Sequence, residues 1–242
     1  MTSTSQVTQI PVITIDGPSG SGKGTVSRRV ANELGWHFLD SGSLYRLAGL
    51  SALKNKVNFD DAAALAKMTR LMDVRFEMNP GINSGVNDAS DEARIFLANE
   101  DVSLPIRTEE SADAASRVAA VPEVREALLS VQRSFCKLPG LVADGRDMGT
   151  TIFPTAAVKI FLVASAEERA ERRYKQLKEK GIDVSLSSLL VDIKQRDERD
   201  TGRGASPLVK SADALLLDST KMTIEEVVNV VLAKWHASAA IA

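Results

Sequence analysis

Gly17, Gly22 and Lys23 stand in the spacing G-x-x-x-x-G-K within GPSGSGKGT, and the hydroxyl of Thr25 follows two residues behind the lysine. Residues of this kind can hold phosphate. Glycines let successive backbone N–H groups curve around an anion at a helix N-terminus, where unpaired donors and the helix dipole favour negative charge, and a lysine adds a mobile ammonium. Gly17, Pro18, Ser19, Gly20, Ser21, Gly22, Lys23, Gly24 and Thr25 are therefore read as one nucleotide-phosphate loop. Its flanks agree: Ile10, Val12, Ile13 and Ile15 form an apolar, β-branched strand before it, and Thr25 to Leu34 suits a helix after it. A Ser or Thr usually follows the lysine directly, whereas here Gly24 intervenes. A dinucleotide-binding fingerprint would need glycine or alanine at position 25, which is Thr25.

Other chemistry-bearing groups are spread along the chain. Tyr45 and Arg46 start a helix just past the strand Trp36 to Asp40, a place where open α/β sheets bind ligands, although a surface arginine and a half-buried tyrosine would read the same way. Ser116 and Arg125 fall in two later helices. The strand GLVAD ends at Asp144, and GRDMGT adds Arg146 and Asp147, so three charges gather beyond one strand end and each needs partners. Asp144 is either the acidic partner of the phosphate loop, reaching magnesium, or a buried structural acceptor. Arg169 and Arg173 share a helix side at i, i+4 on an otherwise solvated face. Arg196, Asp200 and Arg203 fall at i, i+4, i+7 if their helix continues. They are either weak intrahelical ion pairs or an edge of arginines that needs an anion between them.

These residues must be positioned by alternating elements. Strands are expected at Ile10–Ile15, Trp36–Asp40 (short and buried), Gly140–Asp144, Ala156–Ala164 and Ala214–Asp218. Helices are expected after a Ser41 or Ser43 cap, over Asp60–Leu71, Thr108–Ala120 and Pro122–Lys137, behind a Ser165/Glu168 capping box, and over Ile224–Trp235 behind Thr223 and Glu226. The alternation predicts an α/β fold, a five-stranded parallel sheet with helices on both faces and its ligand crevice at the strands' carboxyl ends. Val74–Met78 and Ala93–Leu97 read as strands around the loop NPGINSGVNDAS, which marks a small antiparallel insert, residues 73–107, within a core of 10–72 and 108–236. The termini, 1–9 and 237–242, are expected to be flexible.

With 242 residues and 44% hydrophobic content, the chain supports one sizeable core and a small insert. A net charge of −2 and a pI near 5.8 leave no basic footprint for nucleic acid. Met1 to Gln9 lacks the pattern of a signal peptide and no apolar run reaches membrane-span length, so a cytoplasmic location and no membrane partner are expected. Cys136 stands alone in the run SVQRSFCKL, where packing is the expected role, and with only His37 and His236 beside it a zinc site is not expected. The expected metal is Mg2+ brought by the nucleotide, with Thr25 and Asp144 as candidate oxygen donors.

GKGT resembles nucleoside-monophosphate kinases, and GPSGSGKGT, LDSGSLYR, ADGRDMGT and RDERDTGR together closely resemble bacterial cytidylate kinases from Val12 to Trp235. The first motif is shared by many kinases and the other three are far more specific. The resemblance implies a P-loop kinase core, a nucleotide-binding insert and a short lid at about 174–203. It implies transfer from ATP to CMP, with dCMP also accepted, by a monomer. Lys23, Arg146, Arg196 and Arg203 would be catalytic. The loop with Arg169 and Arg173 would hold ATP. Ser41, Tyr45, Arg46, Ser116, Arg125, Arg146, Asp147, Arg196, Asp200 and Arg203 would hold CMP. The departure is the loop at 79–90, longer than the family usually shows. Kinases for UMP or AMP, or a nucleotide-dependent regulatory ATPase, would share the first motif.

Overall fold

The computed structural model describes residues 10–77, 94–179 and 181–240. Strands β1 (Val12–Asp16), β2 (His37–Asp40), β6 (Leu141–Gly145), β7 (Val158–Val163) and β8 (Leu215–Asp218) pair in parallel in the order β2-β6-β1-β7-β8, which is the expected five-stranded sheet. All five residues of β1 are buried, because VITID has a strand on either side, helices packed on Ile13 and Ile15, and the turn at 148–152 packed on Thr14 and Asp16. Ile13 and Ile15 pack with Val26 and Val30 of helix α1 (Lys23–Leu34), Ile160 and Leu162 of β7, and Val227 and Val231 of helix α8 (Ile224–Ala239). Each such side chain contributes about 1.5–3 kcal/mol on burial. The chain leaves β1 toward β2 and β6 on one side and reaches β7 and β8 on the other. The switch point therefore lies at the carboxyl end of β1, where open sheets bind ligands.

Several local expectations are corrected. β2 is an edge strand with His37 exposed and only Leu39 buried, so it is not a buried strand. Helix α8 runs on to Ala239, since Ala237 and Ser238 offer no breaker, and residues 237–239 are helical rather than a flexible end. Its Thr223/Glu226 capping box is complete. At the start of helix α6 (Ala166–Glu179) the box is half made: Glu168 N donates to Ser165 Oγ, but the Ser165 N–H goes to Thr220 Oγ1 and the Glu168 carboxylate to Arg172. Gly140 lets Trp36 lie against β6, because a Cβ there would stand 2.4 Å from the indole, and Trp36 meets Trp235 edge-on at 4.8 Å.

The described chain divides into two compact units, 1–41 with 131–242, and 42–130. The second is wider than the insert read from sequence. It holds most of α2 (Ser41–Lys54), with α3 (Ala62–Arg70), α4 (Glu109–Val118) and the greater part of α5 (Pro122–Ser134), around an antiparallel sheet β3-β4-β5 (Val74–Glu77, Arg94–Leu97, Glu100–Asp101). Gly49 draws α2 onto α4, since a Cβ there would stand 2.8 Å from the Ala114–Ala115 backbone. The third strand, β5, was not legible in the sequence. Met78, Ala93, the loop at 79–90 and residues 1–9 and 241–242 lie outside the described residues. α5 stops at Ser134, so Cys136 lies past the helix, half-buried. Among the described residues no helix is long and apolar enough to cross a membrane.

Candidate functional site

The phosphate loop follows β1 directly. Gly17 lies so close to β7 that a Cβ would stand 2.0 Å from the Leu162 carbonyl oxygen. Gly20 and Gly22 take positive φ, 77° and 89°, the left-handed region that curves the chain. α1 starts at Lys23 with no side-chain cap on Gly22, so the N–H groups of its first turn have no intrahelical partner. The loop carbonyls, by contrast, are held by protein. Lys23 Nζ donates to Pro18 O at 3.1 Å, Arg169 Nη1 to Ser19 O at 3.0 Å, and Ser219 Oγ and Arg172 Nη1 to Ser21 O at 3.2 and 3.4 Å. Tying the carbonyls to the protein leaves the N–H side of the loop for an anion.

Lys23 is buried, and its Nζ lies 3.9 Å from Asp144 Oδ1. Burial, with Arg146 nearby, depresses the lysine, while burial pushes the Asp144 carboxyl up against the pull of Lys23. Each charge is disfavoured by burial and supported by the other. Gly24 makes room for this acid: a Cβ there would stand 3.1 Å from Asp144 Oδ2. The residue that departs from the general motif is thus the one facing the carboxylate. Ser41, read as a helix cap, is instead the first helical residue of α2, and its hydroxyl donates to Asp144 O at 2.7 Å.

Beyond β6 the chain forms a π-helical turn, Met148–Ile152, with Asp147 buried at its start. Asp16, buried at the end of β1, accepts from Met148 N and Gly149 N, both at 2.8 Å. Burial raises Asp16 to about 6, even against those two hydrogen bonds. Arg146 Nε donates to Asp200 Oδ2 at 2.8 Å. Burial works against the Arg146 charge, but Asp200, Asp144 and Asp16 outweigh it and hold the guanidinium above its usual range.

Asp200 lies on α7 (Leu186–Gly202), which with α6 forms a helical hairpin closed on its own cluster of Ala170, Leu177 and Leu189. This hairpin covers most of the expected lid segment. Burial raises the Asp200 carboxyl, yet Arg146, Arg196 and Arg203 together hold it below the ordinary range. Three arginines thus bear on one of the protein's own carboxylates, and Arg146 is bonded to it. Arg203 is not on the helix: α7 ends at Gly202, and Arg203 is extended (φ −66°, ψ 139°) with Nε donating to Ser206 O at 2.6 Å.

Arg169, read from sequence on a solvated face, is 4% exposed. It donates to Ala164 O and Ser19 O and forms a bidentate pair with Asp197, so its guanidinium braces the loop from behind. Arg173 follows one turn later, half-buried. Sequence reasoning missed Asp16, Arg172, Asp197 and Ser219. Only Asp16 carried a signal, an acid ending an apolar strand, which is the same signal that singled out Asp144.

In the 42–130 unit, Tyr45 is buried and Arg46 half-buried on α2. Arg46 Nη1 donates to Ile106 O and Thr108 O at 2.8 and 3.3 Å. Arg125 is buried, with its guanidinium 5.6 Å from the Tyr45 ring centroid and Nη1 donating to Ala119 O at 3.3 Å. Ser116 is 6% exposed on α4, and its hydroxyl has no partner among the described residues. A buried, unpartnered hydroxyl is costly unless a ligand completes it.

Among the described residues no group of three or more His, Cys, Asp or Glu could hold a metal ion. The hard oxygens of Thr25 and Asp144 suit Mg2+, which takes most of its ligands from phosphate and water.

A family model described as cytidylate kinase matches residues 13–237. A cytidylate kinase from Aeromonas salmonicida (strain A449) is 54% identical over 223 residues, 92% of this chain and 93% of that protein. One from Colwellia psychrerythraea (strain 34H) is 55% identical over 222 residues, 92% and 94% of the two chains. A gluconokinase structure from Sinorhizobium meliloti 1021 aligns with a TM-score of 0.44 at 15% identity, covering 97% of this chain and 94% of that one.

Proposed function

Since this chain belongs to the cytidylate kinase family, we propose how its residues divide the transfer of a phosphoryl group from ATP to CMP. The enzyme phosphorylates CMP, giving CDP and ADP. One observation supports the residue assignment: beyond the carboxyl ends of β1 and β6, Lys23 Nζ stands 3.9 Å from the buried Asp144 and Arg146 Nε donates to the buried Asp200 at 2.8 Å, with Arg196 and Arg203 also holding the Asp200 carboxyl down. A monophosphate needs no general base, because its second pKa near ~6 already leaves an ionised oxygen as nucleophile. It needs alignment with a second polyanion and positive charge that follows the transferred group.

Gly17 to Thr25 wrap the donor's phosphates, and Lys23 leaves Pro18 O to track the group in transfer. Thr25 and Asp144 would hold Mg2+, which when bound supplies charge neutralisation on those phosphates. Arg146, Arg196 and Arg203 stabilise the charge that develops in the transition state. Arg169 acts on ATP by bracing the loop, and Arg173 supplies a further cation to the donor. For the acceptor, Arg46 with Arg146 and Arg203 takes the phosphate, Ser41 and Tyr45 flank it, and Asp200 orients the arginines and reaches the sugar hydroxyls. Both CMP and dCMP are accepted, and the enzyme acts as a monomer in the cytoplasm.

Base choice follows from matching donors to acceptors. Cytosine offers an amino donor at N4 and acceptors at N3 and O2, whereas uracil offers O4 as an acceptor and N3–H as a donor. Asp147 takes the amino group, while Arg125 and Ser116 donate to N3 and O2. Each buried mismatch with uracil costs about 1 to 3 kcal/mol. The test is a phosphoryl-transfer assay across CMP, dCMP, UMP and AMP, repeated with Asp147→Asn. CMP and dCMP should be preferred, and the variant should lose CMP use more than UMP use. Equal losses on both would overturn the base assignment.

A further inference from the structure

We propose that Asp16 is a positioning residue for acceptor recognition: its carboxylate clamps the turn after Asp147 to the strand that carries the phosphate loop. Both carboxylate oxygens are committed, Oδ1 to Met148 N and Oδ2 to Gly149 N, at 2.8 Å each, and Asp16 is 5% exposed. The Asp147 carbonyl accepts from Thr151 N and Ile152 N at 2.9 and 3.2 Å. The chain is thus fixed on the far side of Asp147 by its own carbonyl and, one and two residues on, by Asp16. A side chain is excluded at Gly149, where a Cβ would stand 2.8 Å from Thr14 Oγ1 and 3.4 Å from Asp16 Oδ2.

The clamp has a geometric purpose. Gly17, the first residue of the phosphate loop, follows Asp16 directly, so one short stretch of β1 starts the donor loop and holds the turn that presents Arg146 and Asp147. Phosphoryl transfer depends on the spacing of two bound substrates, and a displacement of an ångström is expensive. Only an ionised carboxylate can take two N–H groups through both oxygens with equal strength. Asparagine would set an NH2 against one of them.

The proposal rests on the reading that Asp147 takes the cytosine amino group, and the experiment separates the two. kcat and KM for CMP, UMP and ATP are measured for the wild type, Asp16→Asn, Gly149→Ala, their double variant and Asp147→Asn, with urea unfolding followed by the Trp36–Trp235 pair. Asp16→Asn should raise KM for CMP about 10- to 100-fold and narrow the preference for CMP over UMP, with KM for ATP moving less than roughly threefold. Gly149→Ala, which pushes the turn off Asp16, should do the same, and the double variant should be no worse than the worse single. Should Asp16→Asn fail to fold, Gly149→Ala decides. A lowered unfolding midpoint with the CMP-to-UMP ratio intact would leave Asp16 a structural residue and overturn the proposal. Narrowing by Asp147→Asn but not by Asp16→Asn or Gly149→Ala would overturn it while the base reading stood. No change with Asp147→Asn would remove the base reading and the proposal together.

Discussion

Two segments leave adjacent strand ends, the loop Gly17–Thr25 after β1 and the segment Arg146–Ile152 after β6, and they are secured by opposite halves of the peptide group. In the first, side chains from α6 and from the segment after β8 take the carbonyls of Ser19 and Ser21, and the N–H groups at the start of α1 are left for an anion. In the second, Asp16 consumes the N–H groups of Met148 and Gly149, so those two donors are not left for a phosphate. On the proposed reading this segment acts through the side chains of Arg146 and Asp147. Which backbone group the protein itself satisfies decides which group remains for a ligand.

Breaking the first segment's cation should have the largest effect. Lys23→Ala is expected to raise the barrier to transfer by about 2 to 4 kcal/mol, the scale for one lost electrostatic stabiliser. It should leave the fold nearly unchanged, because burial already disfavours the lysine's charge. Near-normal turnover would put the donor site elsewhere.

The second segment's clamp should show itself in the pH dependence of stability. Asp16 is raised to about 6 from 3.8, so between those values the folded chain keeps a proton that the unfolded chain has released. Stability from this group is therefore greatest below 3.8 and is lost as the pH rises through 6, by up to about 3 kcal/mol for a shift of this size. Asp16→Asn has no such group. The unfolding free energy of wild type minus variant, measured in urea, should fall across that window. A difference that stays constant would mean that Asp16 is ionised throughout.

The smallest effect sharpens the contrast. Arg172→Ala removes a bond to the loop carbonyl Ser21 O, at 3.4 Å, and one to Ser219 O in the segment after β8, at 2.8 Å. ATP affinity should weaken by about 1 kcal/mol, roughly fivefold, with CMP affinity unchanged when both are read by calorimetry. A loss confined to CMP would reverse the division between the two segments.

The phosphate loop was legible because everything it needs lies within one short run. Glycine positions, lysine and flanking apolar periodicity are local signals, and they set strand, turn and helix without reference to the rest of the chain. The five parallel strands were legible for the same reason: each is an apolar run bounded by turn residues. Edge or centre was not legible, since burial of WHFLD depends on which strands lie beside it, and the sheet order leaves β2 outermost.

The partners of charges were least legible. Arg196, Asp200 and Arg203 looked like one helix edge, but α7 stops at Gly202, and Asp200 turns to Arg146, 54 residues away in sequence. Arg169 and Arg172 sat in a run of alternating charge that has the composition of a solvated face. Packing of α6 beside the phosphate loop instead brings both to loop carbonyls, about 150 residues away for Arg169. By itself the sequence determined the class of fold, the phosphate loop and the inventory of cations and acids. Tertiary structure alone decided which acid meets which cation and which backbone groups are satisfied. A hydrogen bond is set by a few ångströms of separation, and the distances between segments come from the packing of strands and helices.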